Sequence, residues 1–159
     1  MVRIRRITTA DPLYRQECAL REEVLLRPLG LDMDRFLREF PGVEDRLEHF
    51  VAVIDHSGRE RVVGCVALLP QEGGGQGGRL MQMAVDLQRQ GEGIGRRLIV
   101  AAEVRAFGEL GLNRLFCHAP DGAVGFYEKL GWSAEDGAFE EAGIRHRRVS
   151  ISHEPASEE

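Results

Sequence analysis

The chain has 159 residues, of which 43% are hydrophobic, and a formal net charge of −5 at pH 7. Its length allows one domain with a core of its own, and its acidic balance argues against general nucleic-acid binding, which normally needs a basic footprint. No apolar stretch of about 18 residues is present, so the sequence predicts no membrane-spanning helix.

The first half of the chain predicts a strand, two helices and a hairpin. "VRIRRIT" alternates apolar and charged residues, as a half-buried strand does. Asp11 and Pro12 have the pattern of a helix start, and this helix is expected to run until Pro28 and Gly30 break it. A second, short helix is predicted over residues 32–40. "LEHFVAVID" and "RVVGCVALLP" are rich in β-branched residues and are separated by a turn, so they predict a β-hairpin.

The second half predicts a strand and a long helix, and then a strand, helix and strand. "QEGGGQGG" predicts a flexible loop, and "RLMQMAVD" predicts a strand that leads into a glycine-rich stretch and an amphipathic helix. "NRLFCHA" predicts the next strand, "DGAVGFYEKLG" a helix that ends at Gly131, and "IRHRRVSIS" a last strand. Together these elements predict an α/β protein with a mixed sheet.

The ends of the sequence and its cysteines predict a compartment and domain limits. The N-terminal "MVRIRRITT" lacks the apolar run of a signal peptide. Cys18, Cys65 and Cys117 form no C-x-x-C pair, which indicates reduced thiols and no metal site. We therefore expect a cytoplasmic protein with one domain over residues 1–152 and a disordered tail over 153–159.

"VDLQRQGEGIGRRLI", residues 85–99, places three glycines at alternate positions before a helical pattern. Without Cβ atoms, the main-chain N–H groups of Gly91, Gly93 and Gly95 can approach a ligand, and the first helical turn offers unpaired donors that suit a pyrophosphate. An ordinary glycine-rich turn into a helix is the alternative. The dinucleotide fingerprint G-x-G-x-x-G fails because its sixth position is Arg96, and the nucleotide P-loop fails because no Gly-Lys-Ser/Thr follows.

Two separated motifs resemble those of the GNAT superfamily of N-acetyltransferases. "QGEGIG" matches Q/R-x-x-G-x-G/A, the acetyl-CoA loop of that family, and Val85 closes a strand five residues before Gln90, as it does there. About 30 residues later, "AVGFYEKLGW" resembles the family's A-x-x-F-Y-E-K-L-G-F. The resemblance covers residues 51–151. "FEEAGIRH" resembles the final hairpin of the ElaA-like subgroup, and "VEDRLEHFVAV" resembles its acidic residues before a histidine-led strand. "HAPDGA" lacks the Asn or Gln that usually precedes the tyrosine helix.

The resemblance implies a fold and a reaction. The fold would be a GNAT-like mixed, mostly antiparallel central sheet, with a parallel strand-helix-strand unit forming the acetyl-CoA cleft. The chain would be an N-acetyltransferase that moves the acetyl group to a small primary amine by direct attack in a ternary complex. The resemblance also implies a homodimer. A module that binds acetyl-CoA without transferring it, and a protein or peptide N-acetyltransferase, are the alternatives. The implied cofactor-binding residues are Met83, Ala84, Val85, Gln90, Gly91, Glu92, Gly93, Ile94, Gly95, Arg96 and Phe126.

Tyr127 is the candidate general acid for the leaving thiolate, since a tyrosine hydroxyl with a pKa near 10 can donate to a thiolate whose conjugate pKa is about 8.5. A core aromatic is the alternative role. The general base is less evident, because Gln82 stands where family members often carry a Glu. His118 is the candidate base, with a partly buried histidine as its alternative role, and Glu44 and His49 are further candidates. Arg96 and Arg97 could add charge at the pyrophosphate or form a solvated face, and no acetyl-Cys117 intermediate is expected.

Overall fold

The computed structural model describes residues 1–71 and 75–153. It divides into two compact units, the first formed by Met1–Leu69 and Met81–Ala102 and the second by Pro70–Leu80 and Glu103–Glu159. Part of the predicted glycine-rich loop, residues 72–74, and residues 154–159 of the predicted tail lie outside the described residues. No helix in the described part of the chain is long and apolar enough to cross a membrane.

The described part of the chain contains seven strands and five α-helices, together with short π-helical and 3₁₀ segments. The strands are β1 Arg3–Ile7, β2 Glu48–His56, β3 Arg59–Pro70, β4 Gly77–Val85, β5 Arg114–Pro120, β6 Ser133–Glu141 and β7 Ile144–Ser152. The helices are α1 Tyr14–Arg21, α2 Met33–Glu39, α3 Val43–Arg46, α4 Ile94–Glu103 and α5 Val124–Lys129. The sheet order is β1-β2-β3-β4-β5-β7-β6. The predicted α/β class with a mixed, mostly antiparallel sheet is confirmed.

In the first unit, β1, β2 and β3 form an antiparallel meander. Ser57 and Gly58 both have positive φ, 52° and 77°, which is the geometry of a two-residue hairpin turn between β2 and β3. The predicted hairpin is therefore confirmed. The strands are apolar because they form the core of this unit, and its main cluster contains Ile7, Leu13, Leu20, Val51, Val53, Val62, Cys65 and Ala84.

The helices of the first unit begin and end close to the predicted signals. The Asp11 side chain accepts a hydrogen bond from the Leu13 N–H at 2.9 Å, and α1 begins shortly afterwards. The helix continues as a π-helical turn and a 3₁₀ turn until Gly30, whose φ of 73° ends it. Asp32 caps α2 by accepting from the Arg35 N–H at 2.8 Å. Helix α3 was not predicted, because its four residues are too few to show a helical period.

Helix α4 packs closely on β3 at Gly64, where an added Cβ would press on side chains of the helix. A Cβ at Gly64 would lie 2.9 Å from Ile94 Cγ2, 3.0 Å from Leu98 Cδ1 and 3.4 Å from Ala52 Cβ. Ile94 and Leu98 are buried on this side of α4. Gly64 therefore sets how closely the start of α4, and the glycine-rich turn before it, approach the strand.

Gly64→Ala is expected to destabilise the protein by about 1 to 3 kcal/mol, because the added methyl group overpacks a closed core. Gly108→Ala is the matched control, since a Cβ at Gly108 meets no atom within 4 Å and alanine favours helical backbone. Chemical denaturation of both variants measures the difference in unfolding free energy. Equal stability of the two variants would show that α4 can shift on β3 without cost.

The second unit contains the strand, helix and strand arrangement expected from the sequence. Residues Gly77–Leu80 of β4 pair in parallel with Arg114–Cys117 of β5. Strand β7 pairs antiparallel with both β5 and β6. Ala142 and Gly143, with φ of 52° and 78°, form the turn between β6 and β7. The first half of β6 was not predicted, because a shift in register between Ala134 and Ala138 interrupts its alternation.

Candidate active site

The glycine-rich turn in the first unit presents main chain rather than side chains. Gly91 and Gly93 have φ of 85° and 80°, a left-handed backbone that glycine adopts without strain. Residues 90–93 are exposed, and a Cβ at Gly91 or Gly93 would meet no protein atom within 4 Å. The space over this backbone is therefore open to a ligand.

Helix α4 begins directly after the turn. The Gly93 carbonyl accepts from the Arg97 N–H at 3.2 Å, so the helix ladder begins at this glycine. The Arg96 side chain is exposed, whereas the Arg97 guanidinium donates to the Val2 carbonyl at 2.7 Å. Unpaired N–H groups and the positive end of the helix dipole favour an anion at such a helix start. Both arginine side chains are exposed, and that of Arg97 is engaged by the Val2 carbonyl.

Strand β4 changes backbone conformation just before Met83, Ala84 and Val85, the predicted cofactor-binding segment. Gln82 has a φ of 56°, in the left-handed region that a residue with a side chain rarely adopts. Its side-chain oxygen accepts from Arg21 Nε at 3.0 Å, and its carbonyl accepts from Cys65 Sγ at 3.4 Å. The Gln82 amide is thus turned toward α1, and an acid or base role for this residue is not supported by its contacts.

Glu44 and His49, two of the candidate bases, belong to a buried polar network with Glu17, Arg21 and Tyr14. Both terminal nitrogens of Arg21 donate to the Glu44 carboxylate, with Nη2 3.0 Å from Oε2, and the Tyr14 hydroxyl donates to it at 2.7 Å. Burial alone raises the pKa of Glu44, but hydrogen bonds and charge from Arg21 outweigh burial and lower it. A carboxylate held in this way is a weak base.

His49 is fully buried, with Nδ1 2.9 Å from Glu17 Oε1 and Nε2 3.3 Å from the Glu44 carbonyl oxygen. Burial by itself lowers the pKa of His49, but the hydrogen bond and charge of Glu17 outweigh it and raise the pKa above its usual value. Glu17, Glu44 and His49 offer ligand atoms within 4.8 Å of one another. Arg21 already places a positive charge among these carboxylates, so the group is better described as an ion-pair network than as a metal centre.

In the second unit, Tyr127 is buried on α5 beside Phe126 and Trp132. Its ring centroid lies 5.1 Å from that of Phe126 and 5.3 Å from that of Trp132. Its hydroxyl is hydrogen-bonded with the Cys117 thiol of β5. Burial raises the pKa of Tyr127 well above its usual value, and Cys117 adds to this shift. Tyr127 therefore stays protonated throughout the neutral range and can act only as a proton donor there.

His118 follows Cys117 on β5 and points to the opposite face of the sheet, because side chains alternate along a strand. Its Nδ1 lies 3.2 Å from Arg79 Nη2 and 3.2 Å from Glu141 Oε1. Phe139 packs edge-on against the ring, with centroids 5.0 Å apart. Burial, opposed by the hydrogen bond with Glu141, lowers the pKa of His118, and the charge of Arg79 adds to the lowering. The imidazole is therefore neutral at pH 7 and able to accept a proton.

The family description "Acetyltransferase (GNAT) domain" matches residues 36–152. This chain belongs to the GNAT acetyltransferase family. It is 26% identical over 147 residues to the uncharacterized protein YyaT of Bacillus subtilis (strain 168), with 90% of each chain covered. The predicted family membership is thereby confirmed.

Solved structures show the same GNAT fold. A Lactobacillus plantarum protein assigned as an N-acetyltransferase has a TM-score of 0.79 at 22% identity, covering 95% of this chain and 97% of its own. An aminoglycoside 6'-N-acetyltransferase in complex with coenzyme A has a TM-score of 0.74 at 18% identity, covering 98% and 99%. Escherichia coli ElaA has a TM-score of 0.73 at 14% identity, covering 94% and 99%. At these identities the likeness concerns the fold, so membership of the ElaA-like subgroup stays a prediction.

The structure places the predicted site residues of this GNAT chain in three separate locations. The first is the exposed turn Gln90, Gly91, Glu92 and Gly93, followed by Ile94, Gly95 and Arg96 at the start of α4. The second is Met83, Ala84 and Val85 on β4, where the Gln90 side chain reaches the Val85 carbonyl at 3.5 Å. The third is in the second unit, where Tyr127 of α5 contacts Cys117 of β5 and Phe126 packs against Tyr127, while His118 lies on the face of β5 opposite to Cys117.

Four contacting residues escaped the sequence analysis, namely Gly64, Arg21, Arg79 and Glu141. Each acts on a site residue from a distant part of the chain, so no local motif marks it. Of the four, Glu141 could most easily have been found from the sequence, because "FEEAGIRH" places a carboxylate at a predicted hairpin turn. Its partner His118 is 23 residues away, and only the pairing of β5 with β7 and β7 with β6 brings them together.

Proposed function

We propose that this chain is an acetyl-CoA-dependent N-acetyltransferase that moves the acetyl group to a primary amine by direct attack in a ternary complex. The observation that supports this most is the exposed, left-handed backbone of Gly91 and Gly93 at the start of α4. Main-chain N–H groups at such a turn can each donate to a different pyrophosphate oxygen. Arg96 supplies additional positive charge from the same turn of helix.

In the proposed reaction, the neutral amine attacks the thioester carbonyl, and a bond forms between nitrogen and carbon. The backbone N–H of Val85 or a neighbour on β4 polarises the carbonyl oxygen and stabilises the negative charge that develops there. The carbon–sulfur bond then breaks with its electron pair on sulfur, and Tyr127 donates its proton to the thiolate. His118 lies on the face of β5 opposite to Cys117, the partner of Tyr127, so in this scheme it accepts the proton of the amine nitrogen through intervening water molecules. The contacts of Glu44, His49 and Gln82 leave His118 as the better base among the candidates.

Glu141 orients the imidazole of His118 in this proposal. A carboxylate that accepts from the Nδ1–H of an imidazole holds the tautomer whose Nε2 lone pair is available for a proton. The 3.2 Å separation of Glu141 Oε1 from His118 Nδ1 allows this hydrogen bond. Arg79 Nη2 also lies 3.2 Å from Nδ1. When Nδ1 donates to Glu141, it cannot accept from Arg79, and the guanidinium then acts on the ring only through its charge, which disfavours the imidazolium. Glu141 thus orients the ring and raises its pKa, whereas burial and the charge of Arg79 lower the pKa and keep His118 neutral at pH 7.

The base assignment predicts a specific pH dependence of kcat. Because the pKa of His118 is lowered, the acidic limb of the profile should lie below pH 6.5, the usual pKa of histidine. Glu141→Gln removes the neighbour that raises this pKa, so the limb should move to still lower pH. His118→Asn should abolish the limb and lower kcat by about 10²-fold, the low end of general-base effects. A limb that stays in place in Glu141→Gln would assign the titration to another group.

Release of coenzyme A thiol from acetyl-CoA, measured with a panel of small primary amines, tests the proposed activity. We expect amine-dependent release by the full chain, with no release when the amine is omitted. The protein has three free cysteines of its own, so a reaction with protein but without acetyl-CoA gives the background. Binding of acetyl-CoA without release for any small amine or amino-terminal peptide would instead support a binding module.

Two alternatives rest on specific observations. The engagement of Gln82 by Arg21 favours the binding module, because this position of β4 supplies no acid or base. The net charge of −5 favours a cationic acceptor, which includes lysine side chains and protein N-termini as well as small amines. We further propose that residues 1–152 act as a single N-acetyltransferase domain. Homodimerisation and a cytoplasmic location stay predictions from the resemblance and the sequence.

A further inference from the structure

The left-handed residue in β4 needs an explanation, because Gln82 is not a glycine. A non-glycine residue at a φ of 56° is strained, and such strain persists only where the surrounding structure holds the backbone in place. Gln82 directly precedes Met83–Val85, the segment proposed to bind the acyl-CoA. The conformation of Gln82 therefore determines the direction in which the N–H and carbonyl groups of that segment point.

Two groups hold Gln82 from opposite ends of the residue. Arg21 Nε donates to the side-chain oxygen at 3.0 Å, and Cys65 Sγ donates to the main-chain oxygen at 3.4 Å. The bond from Arg21 is the stronger of the two, because a charged donor forms stronger hydrogen bonds than a thiol. Arg21 lies on α1, so this bond joins a helix to the strand that carries the proposed acyl-CoA segment.

The Arg21 side chain is buried and held by several neighbours. It is 1% exposed, and its terminal nitrogens are held by the bidentate carboxylate of Glu44. Glu17 Oε2 lies 3.5 Å from Nη1, and the guanidinium stands 5.0 Å from the centroid of the Phe36 ring. These contacts use Nη1, Nη2 and the faces of the guanidinium, which leaves Nε directed at Gln82. A buried guanidinium so fully engaged has little freedom to follow movements of the strand.

We propose that Arg21 is a positioning residue, which fixes the left-handed backbone at Gln82 and thereby sets the Met83–Val85 segment for binding the acyl-CoA pantetheine arm. This inference rests on the proposed function. It also gives the buried network a role: Glu17 and Glu44 hold a guanidinium whose remaining donor acts on the strand. Arg21 contacts no substrate in this scheme and acts only through Gln82.

The test uses acetyl-CoA affinity, measured by calorimetry for the full chain with Arg21→Lys, Gln82→Ala and the double variant. Lysine keeps the charge beside Glu17 and Glu44 but has no Nε–H at that position, so each single variant should weaken binding about tenfold. The double variant should bind no more weakly than either single variant, since both remove one interaction. Effects that multiply to about a hundredfold would show independent roles and overturn the proposal.

Gln82→Gly provides a second test, which does not depend on the stability of the Arg21 variant. Glycine lacks the side chain that Arg21 holds, but it adopts positive φ without strain, so affinity should return to within about threefold of that of the wild type. Equal weakening in Gln82→Ala and Gln82→Gly, or wild-type affinity in both, would overturn the inference. Failure of the wild-type protein to bind acetyl-CoA would overturn the proposed function itself, so the two failures are distinguishable.

Gln16→Ala is the matched control. Gln16 also ties a side-chain amide of α1 to a strand of the first unit, since its oxygen accepts from the Val62 N–H at 2.9 Å and its nitrogen donates to the Glu60 carbonyl at 3.1 Å. These contacts lie on β3 and not on β4. Gln16→Ala should leave the affinity for acetyl-CoA unchanged, and thermal unfolding of all variants verifies that each is folded at the temperature of the titration.

Discussion

Gly93→Asp is expected to abolish acetyl-CoA binding while the protein stays folded. Gly93 is exposed and an added Cβ meets no protein atom within 4 Å, so the side chain extends into the space over the turn. The φ of 80° strains any side chain, although aspartate tolerates left-handed backbone better than most residues. The carboxylate repels the pyrophosphate at the helix start where an anion would otherwise be favoured. We expect a loss of affinity of more than about 10²-fold, measured by calorimetry.

Two further variants separate charge from shape. Gly93→Asn has nearly the same size and backbone preference without the charge, so it should bind acetyl-CoA more tightly than Gly93→Asp. Gly143→Asp places the same residue at a similar φ, 78°, with no atom within 4 Å, in the turn between β6 and β7. It should bind like the wild type. Unchanged affinity in a folded Gly93→Asp variant would contradict the assignment of the pyrophosphate to this turn.

The glycine-rich turn was predictable because its information is local. Short segments of sequence determine both features of the turn. Glycine allows the left-handed backbone at positions 91 and 93, and the spacing of apolar residues indicates α4. The hairpin and the strand, helix and strand unit were also predictable, because apolar strands joined by short connections allow few arrangements. The same reasoning placed Tyr127 on a short helix after β5, which the structure confirms.

The residues that hold the site in place were not predictable, because they are distant from it in the sequence. Arg21 is one of many arginines in the sequence, and it meets Gln82 from 61 positions away. The pattern of α1 shows an amphipathic helix, yet Glu17 and Arg21 are among its most buried residues. Charge normally marks a solvated face, and only knowledge of the partner Glu44 on α3 reverses that expectation. Buried ion pairs depend on tertiary contacts, which a single sequence does not reveal.

A general-acid tyrosine of ordinary pKa would give an alkaline limb to the pH profile of kcat, but the surroundings of Tyr127 change its pKa. An exposed tyrosine would lose its proton near pH 10. Burial and the neighbouring Cys117 raise the pKa of Tyr127 well above that value. The hydroxyl therefore remains a proton donor at every pH up to 10, and any alkaline limb within that range must come from another group.

Cys117→Ala tests the partner of this hydroxyl. Cys117 is buried, and burial raises the pKa of its thiol to about 11, so the thiolate is scarce at neutral pH. An acetyl-cysteine intermediate is disfavoured by this shift, because the thiolate and not the thiol is the nucleophile. Cys117→Ala should therefore retain kcat within a few-fold of the wild type. Loss of all turnover in a folded Cys117→Ala variant would contradict direct attack by the amine.

Tyr127→Phe is expected to lower kcat by about 10²- to 10⁴-fold, the usual contribution of a general acid. Phenylalanine keeps the ring between Phe126 and Trp132, so the fold and the affinity for acetyl-CoA should barely change. The variant loses only the proton that neutralises the leaving thiolate, and the loss should be uniform from pH 6 to 10 because the hydroxyl is protonated throughout. Steady-state rates with the identified amine measure the effect, and single-turnover rates show that chemistry is limiting. If chemistry limits the rate and Tyr127→Phe keeps full activity over this range, the hydroxyl is no acid catalyst, and Tyr127 serves the packing of α5 against β5.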